Sequence, residues 1–295
     1  MVSTLQGKAY FEGDSFPFFI QRYIIQKDET IPSHTHDFIE LIYVVKGSAL
    51  HEMAEQRYAL ATGDVFVIEP QTYHSYIGSD TEETIIYNVL FEKQLLQKEL
   101  GGLLEIPAFI HFFYLAPFLR KNASFVPYIS LTVEQRRQIE SLLQKIDREF
   151  HEKPVGYQLI IKTSWIECLV LLSRYHEEHQ NSSNHTLPKE DWMDSILHFV
   201  EQHHRQPLSL DQLSRTCGMS VSSFTAKFKK ATGKSFIDYK HSLQIRHACD
   251  MLKDPHNKVI HIALSSGFQD ISFFNRIFRK HMGMTPGQFR QQQTI

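Results

Sequence analysis

Residues 213–240 read LSRTCGMSVSSFTAKFKKATGKSFIDYK, and residues 262–290 read IALSSGFQDISFFNRIFRKHMGMTPGQFR. The two stretches are one pattern used twice. Phe224 and Phe274, Phe228 and Phe278, and Gly233 and Gly283 are each 50 residues apart, whereas Gly218 and Gly267 are 49 apart. One residue is therefore inserted just after the second turn glycine. A repeat this faithful means one supersecondary unit built twice. Each copy predicts a short helix, a glycine-bearing turn and a longer helix carrying Lys and Arg. That is the layout of a helix-turn-helix DNA reader.

Local chemistry supports the layout. In the first copy Leu208, Leu210 and Leu213 bury the first helix, and Gly218 supplies the positive φ of the turn. Ser220 is the expected cap of the next helix, whose Phe224 and Phe228 lie four apart and face the core. Val221, Ser222, Thr225, Ala226 and Lys229 remain for the outer face. In the second copy Asp270 takes the cap, Phe274 and Phe278 the core, and Ser272, Asn275, Arg276 and Arg279 the outer face. Ser235 is expected to cap a long connecting helix from Phe236 to Leu252, and Thr285 with Pro286 starts a short final helix.

The 295 residues suffice for two domains with proper cores, and 42% hydrophobic with 22% charged content is ordinary for a soluble globular protein. The chain opens without a signal peptide, no apolar run reaches the ~20 residues of a membrane helix, and a cytoplasmic protein is expected. Cys168, Cys217 and Cys249 are isolated and odd in number, which implies neither a disulfide frame nor a zinc site. The net charge of −2 hides an asymmetry: residues 189–295 carry 15 Lys and Arg against 9 Asp and Glu, and residues 1–188 carry 16 against 24. The basic part is suited to a polyanion.

Upstream, short runs rich in β-branched and aromatic residues predict strands at Phe18–Gln26, Ile39–Val45, Ala49–Met53, Asp64–Ile68 and Thr84–Phe91. Many short strands with regular turns point to a barrel or sandwich. After Leu131 the period becomes helical. Thr132 with Gln135 reads as a capping box, followed by Ile139, Leu142, Leu143, Ile146 and Phe150; a second helix is expected over 155–175. The polar stretch 179–189 (HQNSSNHTLPK) reads as a linker. The expected organisation is a barrel over 1–130, a helical pair over 131–178, the linker, and a DNA-binding domain over 190–295.

The run from Ile262 to Arg290, with Gly267-Phe268, Asp270, Ser272, Phe274, Arg276, Phe278-Arg279, Gly283 and Thr285-Pro286, resembles the AraC/XylS signature of bacterial transcription regulators. The resemblance covers residues 190–295 and implies two readers, joined by one helix, entering successive major-groove segments. It implies base contacts from Ser222, Thr225 and Ala226 in the first reader and from Ser272, Asn275 and Arg276 in the second. Lys229, Lys230, Arg279 and Lys280 read as phosphate contacts, which position without specifying. The plainer alternative, that these cations only solvate a helix face, leaves the duplication unexplained. One departure matters: the family often has arginine where this chain has Ala226. Alanine cannot make a bidentate guanine contact worth about 1–3 kcal/mol and at most touches a thymine methyl.

His34-Thr-His36-Asp-Phe-Ile-Glu40 followed by Gly47 resembles the first cupin motif, and Gly63-Asp64 with Pro70 and His74 the second, although the glycine before the first histidine is absent. The resemblance implies an α+β multidomain protein: an N-terminal cupin-like β-barrel with a helical hairpin, then an all-α double helix-turn-helix domain. Side chains at 34, 36 and 40 share one face of an extended strand, so His34, His36 and Glu40 are expected to converge, with His74 joining them. Tyr43 and His51, being odd-numbered, are expected to face away. Two or three imidazoles with a carboxylate suit a first-row divalent metal. They equally suit the hydroxyls of an effector bound without one, or a satisfied structural network.

The run His-Thr-His-Asp-Phe-x-Glu-Leu resembles rhamnose-responsive members, which implies a sugar or sugar acid. The resemblance also implies an activator that needs no cofactor, pairs as a homodimer and meets RNA polymerase at promoter DNA. Leu142, Leu143 and Ile146 are the expected dimer seam, though an internal core accounts for them nearly as well. His151, His176 and His179 are expected to be exposed. No enzyme is expected. The competing readings are a metal-dependent cupin enzyme with a DNA-binding tail, and a constitutive dimeric DNA-binding protein.

Overall fold

A computed structural model describes residues 3–13, 15–53, 56–110, 112–113, 128–182 and 192–293. The chain divides into two compact units, Met1–Pro188 and Lys189–Ile295.

The first unit carries ten strands: β1 Ser3–Leu5, β2 Phe18–Ile25, β3 Thr30–His36, β4 Ile39–Lys46, β5 Ser48–Met53, β6 Gln56–Ala61, β7 Asp64–Ile68, β8 His74–Gly78, β9 Thr84–Phe91 and β10 Tyr128–Ser130. They form two five-stranded sheets, one ordered β1-β3-β8-β5-β6 and the other β10-β7-β4-β9-β2. The pairings are antiparallel except β1 with β3. From β2 to β9 the chain keeps crossing from one sheet to the other. The predicted strands are present, together with β3, β6 and β8, whose polar and histidine-rich sequences hide their period. Ile25, Ile42, Val44, Phe66, Ile68 and Ile86 of one sheet pack against Ala49, Met53, Leu60 and Tyr76 of the other, giving a dry core between the sheets.

Two short helices, α1 Leu100–Leu103 and α2 Pro107–Ile110, precede α3 Val133–Glu152 and α4 Tyr157–Ser182. Thr132 and Gln135 form the capping box that starts α3. Ile139, Leu143, Ile146 and Phe150 of α3 are buried, as are Ile161, Trp165, Leu169 and Leu172 of α4. Phe150 meets Phe18 and Phe19 edge-on at 6.2 and 5.6 Å, and Trp165 meets Phe18 and Phe91 at 5.9 and 5.3 Å. The helices thus close the outer face of the sheet that holds β2, β4 and β9. This burial corrects the expected dimer seam: Leu143 and Ile146 belong to the unit's own core, while Val155 and Leu159, at the start of the helical pair's second arm, stand exposed. His176 is also corrected, for it is buried and lies 5.0 Å from the Phe112 ring. Helix α4 continues to Ser182, into the stretch read as a linker; the remainder of that stretch, from 183, lies outside the described residues.

The second unit is helical: α5 Trp192–His203, α6 Leu210–Thr216, α7 Val221–Thr232, α8 Phe236–Leu252, α9 Val259–Ser265, α10 Ile271–Met282 and α11 Pro286–Gln293. The pairs α6–α7 and α9–α10 are the two copies of the repeat, and α8 lies between them in the chain. Ile245, Ala248 and Leu252 of α8 pack with Ile262, Ala263, Phe268, Phe274, Ile277 and Phe278, so the second copy is completed by the connecting helix. Among the described residues no helix is long and apolar enough to cross a membrane.

Candidate functional site

The two longer helices of the repeat are built alike. Ser220 Oγ accepts from Ser223 N at 3.3 Å to start α7, and Asp270 Oδ1 accepts from Phe273 N at 2.6 Å to start α10. Each helix ends on a left-handed glycine, Gly233 at φ 72° and Gly283 at φ 71°. Phe224 and Phe228 are fully buried with ring centroids 5.8 Å apart, and Phe274 and Phe278 repeat this at 5.6 Å.

With those side chains turned inward, the helical period carries the rest outward. Ser222, Ala226, Lys229, Lys230, Ser272, Asn275, Arg276, Arg279 and Lys280 are exposed, and Thr225 is half-buried. Asn275, Arg276, Arg279 and Lys280 line an open basin together with Thr285.

The two faces differ in how their polar groups are engaged. Thr225 Oγ1 donates to the Val221 carbonyl at 2.7 Å, and the Ser222 and Ser220 hydroxyls meet at 3.1 Å. On α10 the Arg276 guanidinium lies 5.1 Å from the Phe273 ring centroid, a stacking partner that has no counterpart at Ser223. Lys280 Nζ donates to Asp238 Oδ1 of α8 at 2.9 Å, an ion pair that holds the Asp238 carboxyl below its ordinary range. Asp238 and Phe273 escaped the sequence reading. Asp238 reads there only as part of the first turn after Ser235, and Phe273 only as a neighbour of the core Phe274.

In the first unit His36, Glu40 and His74 are buried and offer ligand atoms within 4.8 Å of one another. His36 Nε2 and His74 Nε2 lie 3.1 and 3.3 Å from the same atom, Glu40 Oε2. His36 closes β3 and Glu40 lies near the start of β4, so the residues come from opposite sheets. Their convergence is made by the crossover at 37–38, not by alternation along one strand as the sequence reading assumed. His34 lies beyond a register shift in β3; its ring centroid is 4.2 Å from that of His74, and the side chain is only half-buried. Tyr43 does face away, donating its hydroxyl to Glu140 of α3. His51 does not: it is buried, stacks on Tyr76 at 4.6 Å and lies 5.9 Å from His74. The parity rule fails because His51 stands on β5, a separate strand that pairs with β8, and odd–even numbering does not carry from one strand to another.

The second ring nitrogens decide the chemistry of this cluster. His36 Nδ1 lies 2.7 Å from the Phe38 carbonyl and His74 Nδ1 3.1 Å from the Thr72 carbonyl. Carbonyls only accept, so both Nδ1 atoms carry protons, and a neutral ring then presents a lone pair at Nε2. Neither Nε2, nor Glu40 Oε2, has an aligned hydrogen-bond partner. Burial works to raise the Glu40 carboxyl, but the His36 and His74 imidazoles beside it outweigh this and hold it well below the usual carboxylate range. With both rings neutral, three acceptor atoms face a common point that calls for donors or a cation; with a ring protonated, its Nε2–H is itself the donor to Glu40. A separate, narrow apolar cleft lined by Ile39, Phe91, Leu100, Phe109 and Leu169, with Lys93 and Glu69 also on its wall, has no periodic signature in the sequence.

Residues 17–168 match the family model described as AraC-like ligand binding domain, and residues 213–292 match the one described as helix-turn-helix domain. The HTH-type transcriptional activator RhaR of Yersinia pseudotuberculosis is 23% identical over 290 residues, covering 98% of this chain and 93% of that protein. RhaR of Klebsiella pneumoniae is 22% identical over 259 residues, covering 88% and 87%. Among solved structures, apo ToxT from Vibrio cholerae aligns with a TM-score of 0.36 and 13% identity over 93% of this chain and 97% of that one. With the ligand-binding model spanning more than half of its residues and the doubled helix-turn-helix behind it, the chain belongs to the AraC/XylS family of transcription regulators, with an N-terminal sensor domain.

Proposed function

We propose that this regulator activates transcription in response to a small polyhydroxylated effector, a sugar or sugar acid, received by the buried cluster of the first unit. The observation that carries the effector reading is the buried convergence of His36 Nε2, His74 Nε2 and Glu40 Oε2, which with neutral rings is a set of three acceptors. A polyol supplies hydroxyl donors to such a set. His34, beside His74, completes the candidate pocket. The relatives named RhaR are described as activators, which supports the sign of regulation.

In the second unit, Ser222, Thr225 and Ala226 meet bases from α7, and Ser272, Asn275 and Arg276 meet bases from α10. Lys229, Lys230, Arg279 and Lys280 meet phosphates. Residues 1–130 serve as the sensing barrel, 131–178 as its helical pair, 179–189 as the linker and 190–295 as the DNA-binding domain. Promoter DNA, a second copy of the chain and RNA polymerase are the partners, in the cytoplasm. A selected DNA-site library, read with and without a sugar panel, tests this reading. Arg276→Ala is expected to erase preference at one base of one half-site, whereas Lys280→Ala lowers affinity on all sequences and reduces the salt slope. Equal loss on every sequence for both variants overturns the role assignment. Identical occupancy with and without every sugar overturns the effector.

A second reading rests on the same acceptor set, because a divalent cation satisfies it as well as hydroxyls do. Imidazoles that donate Nδ1–H to carbonyls are oriented as metal ligands usually are. Metal analysis of the purified protein separates the two: a stoichiometric metal lost on His74→Ala supports the cation, and a metal-free protein with full sugar response supports the polyol.

A further inference from the structure

Val221 and Ile271 occupy the same place in the two copies of the repeat, 50 residues apart, as the first residues of α7 and α10. Both are β-branched and apolar, and both are exposed, 40% and 38%. Neither packs into the core, which is already filled from these helices by Phe224, Phe228, Phe274 and Phe278. Helix packing therefore does not account for them, and β-branched residues are mediocre helix formers.

Their position on the helix gives a reason. Residues four apart lie on one stripe, so Val221 stands one turn before Thr225 and Ile271 one turn before Asn275, both in the base-facing set. In helix-turn-helix readers the first turns of the longer helix reach the base edges. Around Val221 and Ile271 the base-facing residues diverge at two positions, Thr225 against Asn275 and Ala226 against Arg276, and match at Ser222 and Ser272. At this position the character is kept. In the first reader the Thr225 hydroxyl already donates its proton to the Val221 carbonyl and the Ser222 hydroxyl meets Ser220, which leaves these hydroxyls mainly as acceptors. Beside them lie the methyl groups of Val221, Thr225 and Ala226. In the major groove the one apolar feature of a base edge is the 5-methyl group of thymine.

We infer that Val221 and Ile271 each read a thymine methyl, so that the two unlike half-sites share one thymine at the equivalent step. This rests on the reading of α7 and α10 as the base-contacting helices and adds residues to it.

Removing the methyl from either side tests it. On the best duplex from site selection with the full chain, each thymine is replaced in turn by uracil, which differs only in that methyl. Wild-type protein is expected to lose about fourfold in affinity at one thymine per half-site, the effect of one buried methyl-sized group. Val221→Ala is expected to abolish the uracil penalty in the first half-site alone, and Ile271→Ala in the second alone. Both positions are exposed and alanine is the better helix former, so both variants keep the fold. Ser223→Ala, on the same helix but outside the base-facing set, serves as the neighbour control and is expected to leave the penalty read by Val221 in place. If both variants keep the wild-type uracil pattern, or weaken every duplex alike, the inference falls while the helix assignment stands. If site selection returns no preferred sequence, the helix assignment itself falls, and this inference with it.

Discussion

Alanine at Gly267 is expected to disrupt the second helix-turn-helix, while alanine at Gly218, the same turn position in the first copy, is expected to be mild. Both glycines hold positive φ, +60° at Gly218 and +88° at Gly267. A side chain in that region costs about 1–2 kcal/mol. A Cβ at Gly218 would meet nothing within 4 Å, so the cost ends there. A Cβ at Gly267 would lie 2.4 Å from the Arg205 carbonyl oxygen, 2.8 Å from Arg205 Cα and 2.8 Å from Gln244 Nε2. Two of those atoms are backbone and cannot rotate away. Gln244 is itself buried and reaches back to the Gly267 carbonyl at 3.4 Å. Overpacking of this kind adds about 1–3 kcal/mol, which brings Gly267→Ala to about 2–5 kcal/mol. Urea denaturation with hydrogen exchange on peptides from residues 192–293 measures both variants. Gly267→Ala should lose protection across α9 and α10 and with it DNA affinity. Equal losses for the two alanines, or a larger one at Gly218, would refute the role given to the Arg205 backbone.

Further outcomes follow from single contacts. Lys240 Nζ donates to the Leu208 carbonyl at 3.2 Å, and burial pushes its ammonium from the ordinary 10.5 down to about 8. The folded state therefore bears the cost of the charge below pH 8 and sheds it as pH rises towards 10.5. Lys240→Met should be more stable than wild type at pH 7 by about 1–2 kcal/mol, discounted because the ammonium keeps some solvent. Paired denaturation at pH 7 and 9.5 should show that gap closing, and a widening gap would contradict the buried-charge account.

Asp238→Ala releases Lys280 from its exposed ion pair, with little effect on stability. It should tighten non-specific DNA binding and steepen the log–log salt slope by about 0.9, the contribution of one further phosphate contact; weaker binding would show that the pair instead positions Lys280. Glu40→Ala removes the anion between two buried imidazoles and should destabilise the first unit by about 3–5 kcal/mol if it pairs their charge. A loss below about 1 kcal/mol by urea titration would mean that the cluster is not a charge pair.

The duplicated reader was legible from the sequence because everything that defines it is local. Ser220, Asp270, Gly233 and Gly283 cap helices through bonds spanning three or four residues, and the phenylalanines four apart set the inward face wherever the helix packs. The two facing sheets were legible only in part. Alternation predicts sides within one strand, and β3, β6 and β8 lack a clear apolar period. Three decisions belonged to the tertiary structure. His36 and Glu40 meet because the chain changes sheets between them, which turns a four-residue spacing into a contact across the barrel. Leu143 and Ile146 became core, not seam, because the apolar stripe of α3 reads the same whether it covers a sheet or another subunit. Lys280 found Asp238, 42 residues away. Sequence period determines which way a side chain faces along its own element. What it meets there depends on elements brought together from elsewhere in the chain.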